Sequence, residues 1–248
     1  MNYAISLSGG TGTRTGADIP KQYVCVNGHM MVTYALKPVF DSDHVDKVYV
    51  VCADEWREEM IEDIEAAGLD IKKIAGFALP GDTRQLSILN GLKCIMEETE
   101  SDRVDGVNRQ GSRDTVLIHD AARPFLTADL LDRCYKALDA DEGTDGVMPV
   151  LPMKDTVYLS EDGKNISGLI DRSTLFAGQA PELFRLEPYY EANLRLLPDE
   201  ILKINGASEP AVMVRMKITM IPGDEKNMKV TSPGDLEKFI EVIHMSRL

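Results

Sequence analysis

The amino-acid sequence alternates between short, apolar, β-branched segments and longer segments whose apolar residues recur at helical spacing. Strands separated by helices of 10–15 residues are typical of a mostly parallel sheet with helices on both faces, so the predicted fold class is α/β. Strands are predicted at 3–7, 45–52, 71–75, 115–118, 147–150 and 217–221. Helices are predicted at 30–40, 55–67, 83–98, 128–140 and 236–244.

Residues 153–170 depart from this pattern, because polar and apolar residues alternate there around a turn signal at Glu161-Asp162-Gly163. Alternation on both sides of such a turn predicts a β-hairpin. We therefore expect a single domain over residues 1–248 with a protruding hairpin arm inserted at about 151–172. Such an arm is either a dimer contact or a solvent-exposed excursion of the chain.

Composition and charge narrow the possible partners. The chain has 248 residues, of which 44% are hydrophobic and 27% charged, an ordinary globular composition. Its net charge of −14 disfavours nucleic acid and anionic lipid, and a phosphorylated substrate would need a local cluster of Arg and Lys. No secretory leader or apolar run of roughly 20 residues is present, so a cytoplasmic protein is expected. The four cysteines lack zinc-ligand spacing and are expected to be reduced thiols.

A glycine-rich loop, LSGGTGTRTG, follows the first predicted strand. Glycines allow a close approach of the backbone to an anion, and successive N–H groups can bind phosphate oxygens. The dinucleotide pattern fails because Thr15 occupies its third glycine position, and the Walker A lysine is missing. Residues 76–83 have the glycine spacing of Walker A, but Asp82 stands where that motif needs its lysine. What remains is a phosphate loop with Arg14 and Lys21 as cations, or a surface turn with solvated charges.

Three further clusters lie where predicted strands end or a helix begins. Asp120 and Arg123 follow the strand at 115–118, Lys229 lies in the loop after 217–221, and residues 81–85 precede a helix. Open α/β sheets bind ligands at the carboxyl ends of their strands. Each cluster alone is as compatible with an ordinary loop as with a binding site. Together with the glycine-rich loop, however, the three clusters predict a phosphate-binding site.

Four blocks, LSGGTGTRTGADIPKQY, GDTRQLS, IHDAARPF and NMKVTSPGDL, closely resemble the CTP-dependent alditol-phosphate cytidylyltransferases. This family includes the enzymes that act on 2-C-methyl-D-erythritol 4-phosphate and on ribitol 5-phosphate. The resemblance implies a Rossmann-like fold of the nucleotide-diphospho-sugar transferase type, with a β-arm and a homodimer. It also implies attack of an acceptor phosphate on the α-phosphorus of CTP, with release of pyrophosphate, and Mg²⁺ as cofactor.

The resemblance also implies roles for individual residues. The catalytic cations would be Arg14, Lys21 and Lys229. The residues implied for CTP binding are Ser8, Gly9, Gly10, Gly12, Gly81, Asp82, Ser87 and Ala121. Those implied for acceptor binding are Asp120, Arg123, Thr156 and Arg172, the last two from the neighbouring subunit. Mg²⁺ would be held mainly by the triphosphate, with Asp120 as a candidate protein ligand.

Several departures from the family pattern concern the acceptor. Ala180 replaces a threonine near the acceptor phosphate, and residues 204–209 lack a clean Thr-Asp or Ser-Asp match. In the first loop, Ser8 replaces a common alanine and Thr15 a common methionine. The expected acceptor is 2-C-methyl-D-erythritol 4-phosphate, an isoprenoid precursor. Ribitol 5-phosphate or a related polyol phosphate, used in cell-wall or capsule polymers, is the alternative. A catalytically silent CTP-binding module and a dinucleotide oxidoreductase are the alternatives from other classes.

Overall fold

The computed structural model describes residues 1–11, 18–104 and 113–245 of the chain. The strands are β1 (Asn2–Leu7), β2 (Cys25–Val26), β3 (His29–Met30), β4 (Lys47–Val51), β5 (Ile74–Ala78), β6 (Thr115–Asp120), β7 (Gly146–Pro152), β8 (Val157–Leu159), β9 (Gly168–Ile170), β10 (Phe176–Gly178), β11 (Glu182–Arg185) and β12 (Ile218–Pro222). The helices are α1 (Met31–Phe40), α2 (Arg57–Ala66), α3 (Arg84–Val104), α4 (Ala128–Ala140), α5 (Leu186–Leu194), α6 (Glu209–Met213) and α7 (Pro233–Met245).

One sheet of eight strands organises the described part of the chain. Its spatial order is β5-β4-β1-β6-β11-β7, and both β10 and β12 also pair with β7. Strands β1, β4, β5 and β6 are parallel to one another, whereas β11 runs antiparallel between β6 and β7. The sheet is therefore mixed, with a parallel half that carries the first predicted phosphate loop.

Both faces of the sheet are covered by helices. Tyr3 and Ile5 of β1 pack on one face in a cluster that includes Ile88 of α3, while Ala4 packs on the other face in a cluster that includes Leu131 of α4. Strands that bury both faces are apolar throughout, which explains the continuous apolar runs in the sequence. This arrangement confirms the predicted α/β class.

Most predicted elements are observed close to their predicted positions. Helix α4 has the predicted bounds, because Thr127 caps it by accepting a hydrogen bond from the Leu130 backbone N–H at 3.2 Å. The strand predicted at 71–75 begins later, at Ile74. Residues Ile71–Lys73 form a 3-10 turn instead, in which the Asp70 carboxylate accepts a bond from the Lys72 N–H at 3.0 Å.

Strand β11 was not predicted, although it lies near the middle of the sheet. It spans only four residues, two of them charged, and α5 begins directly after it. The predicted hairpin is present as β8 and β9, which pair antiparallel and join no other described strand. The single-domain boundary stays a prediction. Within the described ranges, no helix combines the length and apolar character that a membrane crossing requires.

The topology brings the predicted loops together. Leu7, the last residue of β1, lies in register with Asp120, the last residue of β6. The loops that follow two adjacent parallel strands therefore leave the sheet side by side, at its carboxyl edge. Lys229 follows β12, and the Val230 N–H donates to the Ala122 carbonyl at 2.8 Å, which ties this third loop to the turn after β6.

Candidate active site

A cavity of about 510 Å³ opens where these loops meet. Four segments that are distant in sequence form its wall: the glycine loop with the turn after it, the start of α3, the end of β6 and the loop before α7. The described residues that line it are Leu7, Gly9, Gly10, Thr11, Lys21, Gln22, Gly81, Asp82, Thr83, Arg84, Ser87, Asp120, Ala122 and Lys229.

The glycine loop is held by the residues that follow it. Gln22 is buried, and its side-chain amide donates to the carbonyls of Ser8 at 2.7 Å and Gly10 at 2.6 Å. The Tyr23 hydroxyl donates to the same Ser8 carbonyl at 2.8 Å. A Cβ on Gly9 would lie 2.4 Å from the Pro80 Cβ, so only glycine fits against the neighbouring loop. The described part of the loop is therefore rigid before any ligand arrives.

Residues 81–87, at the start of α3, form a second loop that is held closed by its own hydrogen bonds. Its Gly81 N–H donates to the Ser87 hydroxyl at 3.0 Å, and that hydroxyl donates to the Thr83 carbonyl at 3.0 Å. The Thr83 hydroxyl accepts a bond from the Leu86 N–H at 3.1 Å, which caps the helix. Because a helix N-terminus carries partial positive charge, this loop is suited to a polar or anionic ligand.

Asp120 is the carboxylate around which the cations of the cavity wall are arranged. Its Oδ1 accepts bonds from Arg84 Nε at 3.2 Å and Nη2 at 2.9 Å, and its Oδ2 lies 2.8 Å from Lys229 Nζ. The nearest guanidinium nitrogen of Arg123 is 3.9 Å away. Burial opposes ionisation of this carboxyl, but Arg84, Lys229 and Arg123 outweigh it and hold the pKa of Asp120 below its usual range. Asp120 is therefore ionised at neutral pH and shared by three cations.

These contacts bear on the expected magnesium ion. Both Asp120 oxygens already contact cations, so Mg²⁺ would compete with Arg84 and Lys229 for this carboxylate. No group of three or more His, Cys, Asp or Glu side chains with a metal-binding arrangement occurs in the parts of the chain that the structure describes.

The loop that carries Lys229 is held in place by hydrogen bonds to residues outside the cavity. Arg123 Nη1 donates to the Asn227 carbonyl at 2.6 Å, and the Asn227 side chain donates to the Ala180 carbonyl at 2.7 Å. The Gln179 side chain donates to the Asp224 carbonyl at 3.0 Å. These bonds place Arg123 behind the wall, where it holds the loop that presents Lys229.

Eight of the residues implied by the family resemblance line the cavity together, namely Lys21, Lys229, Gly9, Gly10, Gly81, Asp82, Ser87 and Asp120. Three others lie beneath or behind its wall: Ser8, whose hydroxyl lies 3.2 Å from that of Ser6, Ala121, which is buried, and Arg123. Two lie exposed at the base of the arm, outside the cavity, namely Thr156 and Arg172. The last two, Gly12 and Arg14, fall outside the described residues.

Six of the described cavity residues were assigned no role from the sequence, and Gln22 and Arg84 are the two of these with polar side chains that orient the wall. Both lie inside motifs that carry the resemblance, and this is the signal that could have identified them. The partner of Arg84 is Asp120, 36 positions along the chain, so only the fold shows that the two meet. The neighbouring His119 is fully buried, and burial lowers its pKa to about 4, so its ring is neutral at pH 7.

Comparison with known proteins shows which family this chain resembles. A family model described as 2-C-methyl-D-erythritol 4-phosphate cytidylyltransferase matches residues 3–243. The chain is 36% identical over 239 residues to a protein of that name from Rubrobacter xylanophilus, covering 94% of this chain and 90% of the relative. It is 26% identical over 240 residues to a ribitol-5-phosphate cytidylyltransferase from Streptococcus agalactiae, covering 96% of this chain and 94% of the relative.

The fold agrees with that placement. The crystal structure of 4-diphosphocytidyl-2C-methyl-D-erythritol synthase from Anaerococcus prevotii superposes with a TM-score of 0.74 at 23% identity, covering 98% of this chain and 96% of that one. The family match over nearly the whole chain confirms what the four sequence blocks indicated. The chain therefore belongs to the 2-C-methyl-D-erythritol 4-phosphate cytidylyltransferase family.

Proposed function

We propose that this chain transfers the cytidylyl group of CTP to a polyol phosphate and releases pyrophosphate. The observation that carries the proposal is that Lys21, Lys229 and the loop at 81–87 line one shared cavity together with the ionised Asp120. An oxygen of the acceptor phosphate forms a bond to the α-phosphorus, and the bond from that phosphorus to the oxygen bridging to the β-phosphate breaks. The electron pair leaves with pyrophosphate, so no covalent enzyme intermediate is required.

The protein contributes charge and positioning to this step. Phosphate charge that builds up in the transition state is stabilised by cations already fixed in place, because they need no reorganisation during the reaction. Asp120 fixes Lys229 and Arg84 in this way, and Gln22 fixes the described part of the glycine loop. We assign Lys21 and Lys229 to stabilisation of the transferring phosphoryl group, together with Arg14.

The cytosine base belongs, in this proposal, at the loop of Gly81, Asp82 and Ser87, which lines the cavity beside the glycine loop. The Ser87 hydroxyl keeps the turn closed, so the loop has its shape before the base binds. The ribose would lie near Ala121 and Ala122, of which Ala122 lines the wall. Mg²⁺ would enter with CTP, held by triphosphate oxygens, since Asp120 is engaged by Arg84 and Lys229.

We favour 2-C-methyl-D-erythritol 4-phosphate as the acceptor, which places the reaction in isoprenoid precursor synthesis. The support is the family match and the 36% identity to a relative of that name, against 26% to the ribitol-5-phosphate relative. Asp120, on the cavity wall, would serve the acceptor side from this subunit, and Arg123 would act there through the loop that it holds. Thr156 and Arg172, exposed at the arm, would complete the site of a second subunit in a homodimer.

A panel of acceptors tests the proposal. Pyrophosphate release from CTP is measured with 2-C-methyl-D-erythritol 4-phosphate, ribitol 5-phosphate and erythritol 4-phosphate. We expect the highest kcat/KM with the first. A higher kcat/KM with ribitol 5-phosphate would reassign the acceptor but keep the reaction. No release with any acceptor would overturn the proposal in favour of a CTP-binding module.

A further inference from the structure

Glu182 is a buried carboxylate that stands directly behind the cavity. It is the first residue of β11 and lies in register with Ile118 of β6, two residues before Asp120. Its side chain is 10% exposed and is not among the residues that line the cavity. Arg84 lies between the two carboxylates, because its Nη2 is 2.9 Å from Asp120 Oδ1 and 3.8 Å from Glu182 Oε1. One guanidinium at the cavity wall is therefore shared by two acids.

The groups around Glu182 come from four further elements. Arg84 faces it from α3, Asp120 and Arg123 from the end of β6, Tyr189 from α5, and the Ser208 hydroxyl from the turn before α6. Burial raises the pKa of Glu182 to about 7, and Asp120 contributes in the same direction, although Arg84, the hydrogen bond to Ser208 and Arg123 oppose the shift. Glu182 is therefore close to the midpoint of its titration at neutral pH.

A phosphate group in the cavity would compete with these carboxylates for Arg84. Asp120 also holds Lys229 and lies near Arg123, so its ionised form is strongly favoured. Glu182 makes the longer of the two contacts with Arg84 and is the acid that can more easily give up its charge. Added negative charge nearby raises the pKa of a carboxyl group. Ligand binding should therefore protonate Glu182 and leave Asp120 ionised.

We propose that Glu182 is a positioning residue that steadies Arg84 against Asp120 and takes up a proton from solvent when a phosphate ligand enters the cavity. The proton settles on the Glu182 carboxylate, and the Arg84 charge is then directed toward the ligand. Glu182 touches no substrate and acts through Arg84. The inference rests on the proposed function only in taking CTP as the phosphate ligand.

The sign of the pH dependence follows from linkage. A ligand that raises the pKa of Glu182 binds more tightly where that group is protonated, so CTP affinity falls as the pH rises through about 7. Glu182→Gln has the shape of the protonated acid and cannot titrate. We expect E182Q to bind CTP about 3–10-fold more tightly than the wild type at pH 8 and equally at pH 6.

Calorimetry of CTP binding in buffers of different ionisation enthalpy measures the proton directly. We expect the wild type to take up about 0.3–0.5 proton more per site than E182Q at pH 7. Glu187→Gln is the matched control, because Glu187 is exposed on α5 and the same substitution there should leave proton uptake at the wild-type value. Equal uptake by E182Q and the wild type would overturn the inference while leaving CTP binding, and the proposed function, intact.

Ser208→Ala gives a second test that does not depend on the folding of E182Q. It keeps Glu182 but removes the hydrogen bond that lowers its pKa, so the midpoint of the CTP affinity profile should move to higher pH. An unchanged midpoint would mean that Glu182 is only structural and would contradict the proposal. Failure of the wild type to bind CTP at any pH would instead overturn the proposed function, and the inference with it.

Discussion

Asp120 shows how single residues set the electrostatics of this site. The carboxylate is buried, and burial alone would favour its neutral form. Contacts with Arg84 and Lys229 keep it ionised, and in return it holds both cations at the cavity wall. Because these cations are oriented before the ligand binds, little of the binding free energy is needed to order them.

Folding shifts the pKa values of two other buried groups at this site in opposite directions. The pKa of His119 falls from 6.5 to about 4 on folding, so its neutral form stabilises the protein above pH 6.5 and this stabilisation is lost as the pH falls. The pKa of Glu182 rises from 4.5 to about 7, so its contribution is greatest below pH 4.5 and is lost as the pH rises. Between pH 7 and pH 5 the two contributions oppose each other.

Removing the titration of Glu182 should reveal the pH dependence of stability that His119 contributes. In E182Q only His119 remains, so acidification from pH 7 to pH 5 should lower the free energy of unfolding by about 2 kcal/mol more than it does in the wild type. Urea denaturation of both proteins at the two pH values measures this difference. Parallel pH dependence in the two proteins would show that Glu182 does not titrate in this range.

At the scale of elements, sequence patterns located most strands and helices because each is specified locally. Helix α4 combines an N-cap at Thr127 with apolar residues at helical spacing, and its predicted bounds match. Strand β11 has no comparable local signal, since its four residues form a strand only between β6 and β7. Without β11 the sequence could not place Glu182 behind Arg84.

The candidate site was predictable to a similar extent. Lys21 and Lys229 were identified because they lie in motifs, and the structure brings both to one cavity. The inward orientation of Arg123 depends on the Asn227 carbonyl, 104 positions away, and no local pattern encodes that contact. The sequence thus identified the residue types of the site but not the long-range ion pairs that orient them.

The loop before α3 gives a prediction at this scale. A Cβ on Gly81 would lie 2.4 Å from the Leu86 Cβ and 2.9 Å from its carbonyl carbon, so Gly81→Ala must shift the backbone. We expect a loss of about 1–3 kcal/mol in unfolding free energy together with weaker CTP binding. Gly234→Ala is the control, because a Cβ there meets no atom within 4 Å, and it should change neither quantity adversely. Wild-type CTP affinity in G81A would remove this loop from the nucleotide site.

The whole molecule carries a net charge of −14, and yet its cavity is lined by the cations Lys21, Arg84 and Lys229. The general negative field disfavours long polyanions, while the local cations and the start of α3 favour a small phosphate ligand. This contrast between surface and site accounts for the expected choice of CTP over nucleic acid.

The arm leads to a prediction about assembly. Tyr158 and Leu169 lie directly opposite each other on β8 and β9 and are 55% and 66% exposed, an apolar pair that a subunit contact would cover. Sedimentation equilibrium should find a dimer for the wild type and a monomer for the variant with Tyr158→Ser and Leu169→Ser. Val212→Ser, at a residue 61% exposed on α6, should remain dimeric. A monomeric wild type would contradict the expected homodimer.

Cations from distant segments are expected to act together in one cavity, and a matched pair of lysines tests this most directly. Lys229 lies 2.8 Å from Asp120 on the wall, while Lys226 is exposed in the same loop. With CTP and 2-C-methyl-D-erythritol 4-phosphate, Lys229→Ala should lower kcat by roughly 10²–10³ and Lys226→Ala should leave it unchanged. Wild-type turnover in Lys229→Ala would contradict the account.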